Sequence, residues 1–216
     1  VKGSVTYAQG NSTRPEDSLT IVRSDFWVQS ANKQLNFMQH IVALLKPGGR
    51  AAVVVPDNVL FESGAAASVR RRLVETCRVH TVLRLPPGLF YAAGVKSNVI
   101  FFDKPKKTGV VSTRSLWIYD LRSEKRFSLR TKPLQSEDLR EFVALYSDPT
   151  REDGERHRSF DAADVLSNPD CRLDLTWSDP ATRSRAPGLA RLDELARLVA
   201  DDLQRALALI AKPPAS

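Results

Sequence analysis

One segment restricts the fold more than any other. Lys46-Pro47-Gly48-Gly49 runs through Arg50 into Ala51-Ala52-Val53-Val54-Val55. Proline cannot continue a helix, and glycine supplies the left-handed residue that closes one. The apolar run behind them has no alternation and is rich in β-branched residues. That pattern predicts a short strand buried on both faces, as in a parallel sheet covered by helices. Pro56-Asp57-Asn58 stops it. Upstream, Leu35, Met38, Ile41, Val42 and Leu45 repeat at helical spacing, which predicts a helix from about residue 25 to 46, with Ser24 or Asp25 as its N-cap.

The same alternation of periods continues downstream. Val69, Leu73 and Cys77 share one face of a second helix over residues 65–77. Residues 80–85 and 99–102 read as two more strands, separated by Pro86-Pro87-Gly88. A helix between the first two strands implies a crossover and a parallel pair. The connection between the last two holds no helix, so an antiparallel pairing is expected there. Residues 115–120 and 126–129 read as a hairpin and 138–146 as a helix. The fold class expected is α/β. Its parts are a polar loop at 1–24, a sheet domain with an appended hairpin at 25–146, a linker and irregular segment at 147–188, and an amphipathic helix at 189–212. The seam of that helix is Leu192, Leu195, Val199, Leu203, Ala206 and Ile210.

Composition removes several classes of function. Two cysteines in 216 residues make no disulfide framework, and a cytoplasmic setting is expected. Three histidines without metal-ligand spacing give no metal site. No apolar window approaches the ~18 residues of a membrane span, and the first residues lack the apolar core of a secretory signal. The chain is therefore expected to begin inside a longer protein. Gly-x-Gly-x-x-Gly, Walker-type and Gly-x-Ser-x-Gly motifs are all absent, which leaves nucleotide hydrolysis and serine-hydrolase chemistry without support. The net charge of +7 suits a nucleic acid or an acidic partner, and equally an arginine-rich surface with no such role. The densest basic stretches, Arg70-Arg71-Arg72 and Lys104 with Lys106 and Lys107, are candidates for phosphate contact or for an ordinary solvated face.

Three runs in consistent order carry a resemblance. They are Asn32-Lys33-Gln34-Leu35-Asn36-Phe37-Met38-Gln39-His40-Ile41, Pro56-Asp57-Asn58-Val59-Leu60-Phe61-Glu62, and residues 85–102, which include Leu85-Pro86-Pro87-Gly88-Leu89-Phe90-Tyr91 and Lys96-Ser97-Asn98-Val99-Ile100-Phe101-Phe102. Together they resemble the modification subunit of type I restriction–modification systems, an N6-adenine DNA methyltransferase. The resemblance covers residues 20–150 closely and the remainder loosely.

It implies the C-terminal half of a Rossmann-like methyltransferase fold with a final antiparallel strand and a helical tail. The family moves a methyl group from S-adenosylmethionine to N6 of adenine in DNA, which requires the base to leave the duplex. By resemblance, Phe90 stacks on the flipped base; the bland reading is that it caps the core. Tyr91 and Lys96 are further candidates for base or backbone contact. Asp57 and Asn58, at the carboxyl end of the first strand, either line the pocket or form an Asx turn that ends the strand.

Implied partners are DNA, a specificity subunit that meets the C-terminal helix, and a restriction subunit. The family's Asn-Pro-Pro-Phe or Asp-Pro-Pro-Tyr motif and its glycine-rich cofactor loop have no match in this sequence. The expectation is thus a fragment that is inactive alone, without catalytic residues of its own. One alternative is a non-catalytic assembly or DNA-contact module from a split or decayed gene. The other is a small-molecule methyltransferase, disfavoured by the tail and the basic charge.

Overall fold

The computed structural model describes residues 6–9, 19–90, 95–107, 113–122, 127, 128 and 130–177. The chain divides into two compact units, Val1–Leu175 and Thr176–Ser216. The expected helix at 189–212 lies outside the described residues. Within the first unit, β1 (Thr6–Gln9) and β2 (Leu19–Val22) form an antiparallel pair. The main sheet has five strands: β3 (Arg50–Pro56), β4 (Arg78–Arg84), β5 (Ser97–Asp103), β6 (Ser115–Asp120) and β7 (His157–Asp161). Its spatial order is β3-β5-β4-β6-β7. Mixed α/β is thus the architecture.

Helix α1 (Lys33–Leu44) begins later than its periodicity suggested. Its cap is Asn32, whose Oδ1 accepts from the backbone N–H of Gln34 at 2.9 Å and of Leu35 at 3.2 Å. Neither Ser24 nor Asp25 caps it. The Asp25 carboxylate instead holds the Arg23 guanidinium at 2.9 and 2.6 Å. Residues before the cap are clasped to the helix by buried Gln39, which takes both backbone groups of Val28 at 2.8 and 3.0 Å. Leu35, Met38 and Val42 form the buried stripe. The helix ends in a turn where Gly48 has φ +81°, a conformation that disfavours any Cβ. Gly48 and Gly49 exchange backbone hydrogen bonds of 2.9 and 2.8 Å with Lys104, which ties the turn to the end of β5.

The first strand differs from expectation in both its burial and its pairing. β3 is an edge strand among the described residues, bonded only to β5. Val54 is 53 % exposed. β3 and β4 run in the same direction, as the crossover predicted, but they do not touch as partners. β5 lies between them and is antiparallel to both. The continuous apolar run therefore reflects helix cover on one face only. Val53, Ile100, Val82 and Ile118 are register partners and form a rung on that face. There α3 (Ala65–Thr76) and α5 (Ala162–Ser167), with Leu173, enclose Val79 and Leu116. The next rung, Val54, Val99, Leu83 and Tyr119, faces the other way. Phe142 of α4 (Arg140–Ser147) covers its β6 end, stacking on Trp117 at 5.8 Å and meeting Tyr119 edge-on at 5.4 Å.

Among the described residues β6 has no hairpin partner at 127 and 128; the rest of the expected second strand lies outside them. β6 pairs parallel with β4 and antiparallel with β7, and Ser128 bridges only to Lys132. Residues 147–160, read as linker, contain most of β7, and α5 follows directly with Asp161 as its cap. Charge hid this strand: His157-Arg158-Ser159-Phe160-Asp161 has one apolar residue. As an edge strand it needs one face only, and its His157 ring lies flat on Tyr119, interplanar angle 3°.

A short helix α2 (Asn58–Phe61) and the segment 168–173 are locked to α3 by Arg70. This arginine is 1 % exposed. Its guanidinium donates to the carbonyls of Cys171 (3.0 Å), Val59 (2.9 Å), Glu62 (2.6 Å) and Asp170 (2.6 Å). Burial pulls its pKa below the usual arginine value, yet a guanidinium keeps its proton in proteins. Replacing Arg70 with Leu would strand four acceptors, each costing about 1–3 kcal/mol when buried and unsatisfied. Urea denaturation should show a loss of at least ~3 kcal/mol for Arg70→Leu and under ~0.5 kcal/mol for the exposed Arg72→Ala. Equal midpoints for the two variants would refute the strut.

Candidate nucleic-acid interface

Strand direction gathers the candidate residues. β3, β4 and β6 point the same way, so Pro56, Arg84 and Asp120 end at one edge of the sheet, where β5 begins with Ser97 and Asn98. Open α/β sheets bind ligands at such carboxyl edges, where backbone groups and loops converge.

Asp57 is fixed at both ends. Its backbone N–H donates to the Lys96 carbonyl at 3.0 Å, and its Oδ1 accepts from Asn98 Nδ2 at 2.6 Å. Asn98 is only 1 % exposed, so this amide orients the carboxylate from inside the sheet. Asn58 opens α2 and turns its amide along that helix to Glu62 Oε1 at 3.1 Å. Lys96 is exposed, and its backbone, as the Asp57 partner, is what enters the network. Ser97 Oγ is buried without a hydrogen-bond partner. Tyr91 lies outside the described residues.

Two arginines and an aspartate complete this edge. Arg84 and Asp120 are register partners on β4 and β6, 3.4 Å apart between Nη1 and Oδ2. Buried Arg84 also donates to the Leu175 carbonyl. Arg122 grips Asp120 with a fork, Nε to Oδ1 at 2.9 Å and Nη2 to Oδ2 at 2.5 Å. That contact raises the Arg122 pKa, and the negative field of Asp57 raises it further. Asn98, Arg84, Asp120 and Arg122 escaped sequence reasoning. The available signal was a charged or amide residue at the end of an otherwise apolar strand.

Phe90 leaves this edge on an anchored turn. Leu85 N–H bonds to the Ser97 carbonyl and Leu121 N–H to the Arg84 carbonyl, both at 3.0 Å. Gly88 has φ +89°, and a Cβ there would lie 2.1 Å from the Phe127 carbonyl oxygen, so glycine alone permits the close approach. Leu89 packs on the aromatic core, whereas Phe90 is 41 % exposed and no member of that cluster. Half of the basic candidates bind backbone, while Arg72, Lys106 and Lys107 are exposed. Besides Arg70, Arg71 donates to the carbonyls of Leu166 (2.9 Å) and Asn168 (2.8 Å), and Lys104 Nζ to that of Val42 (2.8 Å). Cys77 and Cys171 are buried free thiols, and the described residues hold no group of ligands suited to a metal. No described helix is long and apolar enough to cross a membrane.

The Asp120 cluster has a defined pH signature. Burial pushes this carboxyl up, but Arg122 and Arg84 together hold it below the ordinary aspartate value. A lowered folded pKa contributes stability that is present above the unfolded value of about 3.9 and lost as pH falls through the folded one. Acid unfolding followed by circular dichroism should therefore show a shallower loss below about pH 4 in Asp120→Asn, with the deficit already present at neutral pH. Superimposable acid limbs would show that the pairing adds nothing.

The chain matches the family model for N-6 DNA methylase over residues 6–174. It is 44% identical over 158 residues to the type I restriction enzyme StySJI methylase subunit of Salmonella typhimurium, covering 69% of this chain and 30% of that protein. It is 47% identical over 137 residues to the EcoKI methylase subunit of Escherichia coli K12, covering 60% of this chain and 25% of that protein. The crystal structure of the EcoKI M protein superposes with a TM-score of 0.65 at 36% identity, over 87% of this chain and 49% of that one. The chain thus spans between a quarter and a third of the length of these two curated relatives. A family match over most of the described fold, with relatives above 40% identity, places the chain in the N-6 DNA methylase family, among proteins similar to type I methylase subunits.

Proposed function

We propose that this chain forms the substrate side of a type I N6-adenine DNA methyltransferase, acting on DNA within a restriction–modification complex. Three strands of one direction with β5 inserted antiparallel suit the second half of a Rossmann-like sheet. The observation that carries the reading is Phe90, exposed on a turn that Gly88 and two backbone bonds hold at the carboxyl edge. An aromatic face held open there offers an extruded adenine a stacking surface. Asp57, oriented by Asn98, is an acceptor at the same edge that suits an exocyclic amine. Lys96 and Asn58 border it, and Tyr91 follows Phe90 in the chain.

S-adenosylmethionine would be the methyl donor, but the described residues do not fit its cradle. The turns after β3, β4 and β6 are Pro56-Asp57-Asn58, Leu85-Pro86-Pro87 and Leu121-Arg122, none of them rich in glycine. The donor site and the Asn-Pro-Pro-Phe acceptors are therefore assigned to the part of the relatives that this chain does not span. Residues 189–212 would meet a specificity subunit, with a restriction subunit completing the complex, as family membership suggests. The same lack of a cradle favours one second reading, a non-catalytic assembly or DNA-contact module.

Two measurements test the division of labour. Calorimetry of this chain with S-adenosylmethionine should give no binding heat, and micromolar affinity would overturn it. In a methylase complete with the remaining portion, Phe90→Ala should lower adenine methylation at least tenfold with folding intact, since base–aromatic stacking contributes about 1–3 kcal/mol. Unchanged methylation would reject the stacking role and favour the non-catalytic reading.

A further inference from the structure

The sheet edge opposite the Phe90 turn carries an unbalanced charge. There β3 and β4 begin with Arg50 and Arg78, and β5 ends at Asp103, which is the register partner of both. We propose that this edge docks an acidic, leucine-bearing segment of a partner protein. The inference goes beyond the methyl-transfer reading and does not depend on it.

The imbalance begins in the sequence. No Asp or Glu occurs in residues 26–56, which build α1, its closing turn and β3, and none in residues 104–119, which follow β5. The fold brings the two stretches together. Gly48 and Gly49 exchange backbone bonds with Lys104, and the Lys106 stem lies along Gly48, where a Cβ would meet its Cγ and Cε at 3.4 Å. Lys46, Arg50, Lys106 and Lys107 are all exposed, and none has an acidic partner among the described residues.

The acids at this edge are already engaged. Asp103 accepts from Arg78 Nε at 3.0 Å and faces His80 Nε2 at 3.6 Å. Glu75, shortly before β4, faces Arg72 at 3.8 Å. Lys104 is engaged too, through the Val42 carbonyl. Four free cations around one turn repel one another, and carboxylates from outside relieve that repulsion.

Three features favour a protein over a nucleic acid. Leu44 ends α1 two residues before Lys46 and is 69 % exposed. A leucine side chain from a partner would cover it, whereas a phosphate backbone offers it nothing apolar. Three of the four free cations are lysines, which lack the fork that grips phosphate through two bonds. Position is the third feature. β3 runs for seven residues, so this edge lies about 20 Å from the carboxyl edge. A duplex held at the carboxyl edge is stiff over ~150 bp and would have to bend round the sheet to arrive here.

Fluorescence anisotropy on the full chain tests the surface with a labelled glutamate-rich peptide carrying leucines at helical spacing. The peptide should bind at low salt and weaken as salt rises. The combined substitution Lys46→Glu, Lys106→Glu and Lys107→Glu should weaken it at least about tenfold, as three exposed pairs of up to ~1 kcal/mol each allow. Arg130→Glu, Lys132→Glu and Arg140→Glu together lower the net charge equally at exposed positions off this turn, and should weaken it about twofold or less. Leu44→Ser should cost the leucine-bearing peptide about threefold and leave an all-glutamate peptide unchanged. A short DNA duplex should lose less affinity than the peptide in the turn variant. Folding of each variant is checked by circular dichroism. Absence of peptide binding, or equal losses in the two triple variants, would overturn the proposal. A duplex weakened more than the peptide by the turn substitutions would give the surface to nucleic acid and overturn it as well.

Discussion

The Arg70 guanidinium is the constraint on which the helical layer depends. Its four carbonyl partners come from Val59 and Glu62, in α2 and at its C-cap, and from residues 170 and 171, about a hundred positions beyond the arginine. Segment 168–173 has little regular structure of its own. An Asx turn at Asn168 and a positive φ at Cys171 bend it, and Leu173 N–H reaches the Leu60 carbonyl at 2.9 Å. Without a multidentate donor those bends would expose carbonyls to an apolar interior. With it, the segment closes the space between α3, α5 and β6. The same device recurs more weakly in Arg71 and Lys104, which satisfy carbonyls at the ends of α5 and α1 as caps do for helices.

Local chemistry was legible and pairing was not. The helix at α1, the turn at Gly48 and the strands β3, β4 and β5 follow from period and punctuation. The antiparallel relation of β4 and β5 follows from a connection with no helix. What failed was neighbour identity. β5 separates β3 from β4, and a run such as Ala51–Val55 looks the same whether one face or both are covered. β7 was hidden because an edge strand over a tyrosine tolerates His and Arg. The start of α1 was misplaced because Asp25 is a good cap in isolation, and its carboxylate is taken instead by Arg23, two residues before it.

Of the candidate site, part was legible. Phe90 and Asp57 were reachable through motif resemblance, and the carboxyl edge explains why they lie at one end of the sheet. Asn98, Arg84, Asp120 and Arg122 form the frame around them, and each becomes meaningful only through a cross-strand neighbour. Register is a long-range property, set by the central strand, so a single strand's sequence cannot announce which polar ends will meet. The glycine at 88 was read as a break. Its stronger constraint, the approach of the Phe127 carbonyl, comes from a residue 39 positions downstream.

The open edge of β3 sets two forces of different range against each other. A net charge of +7 keeps copies of the molecule apart over about a Debye length, roughly 8 Å at physiological salt. Backbone groups on the side of β3 that has no strand partner among the described residues, beside exposed Ala52 and Val54, attract at contact distance. Salt weakens the first and leaves the second intact. Ionic strength therefore acts on one side of this balance only: dilute buffer preserves the repulsion, and concentrated salt removes it.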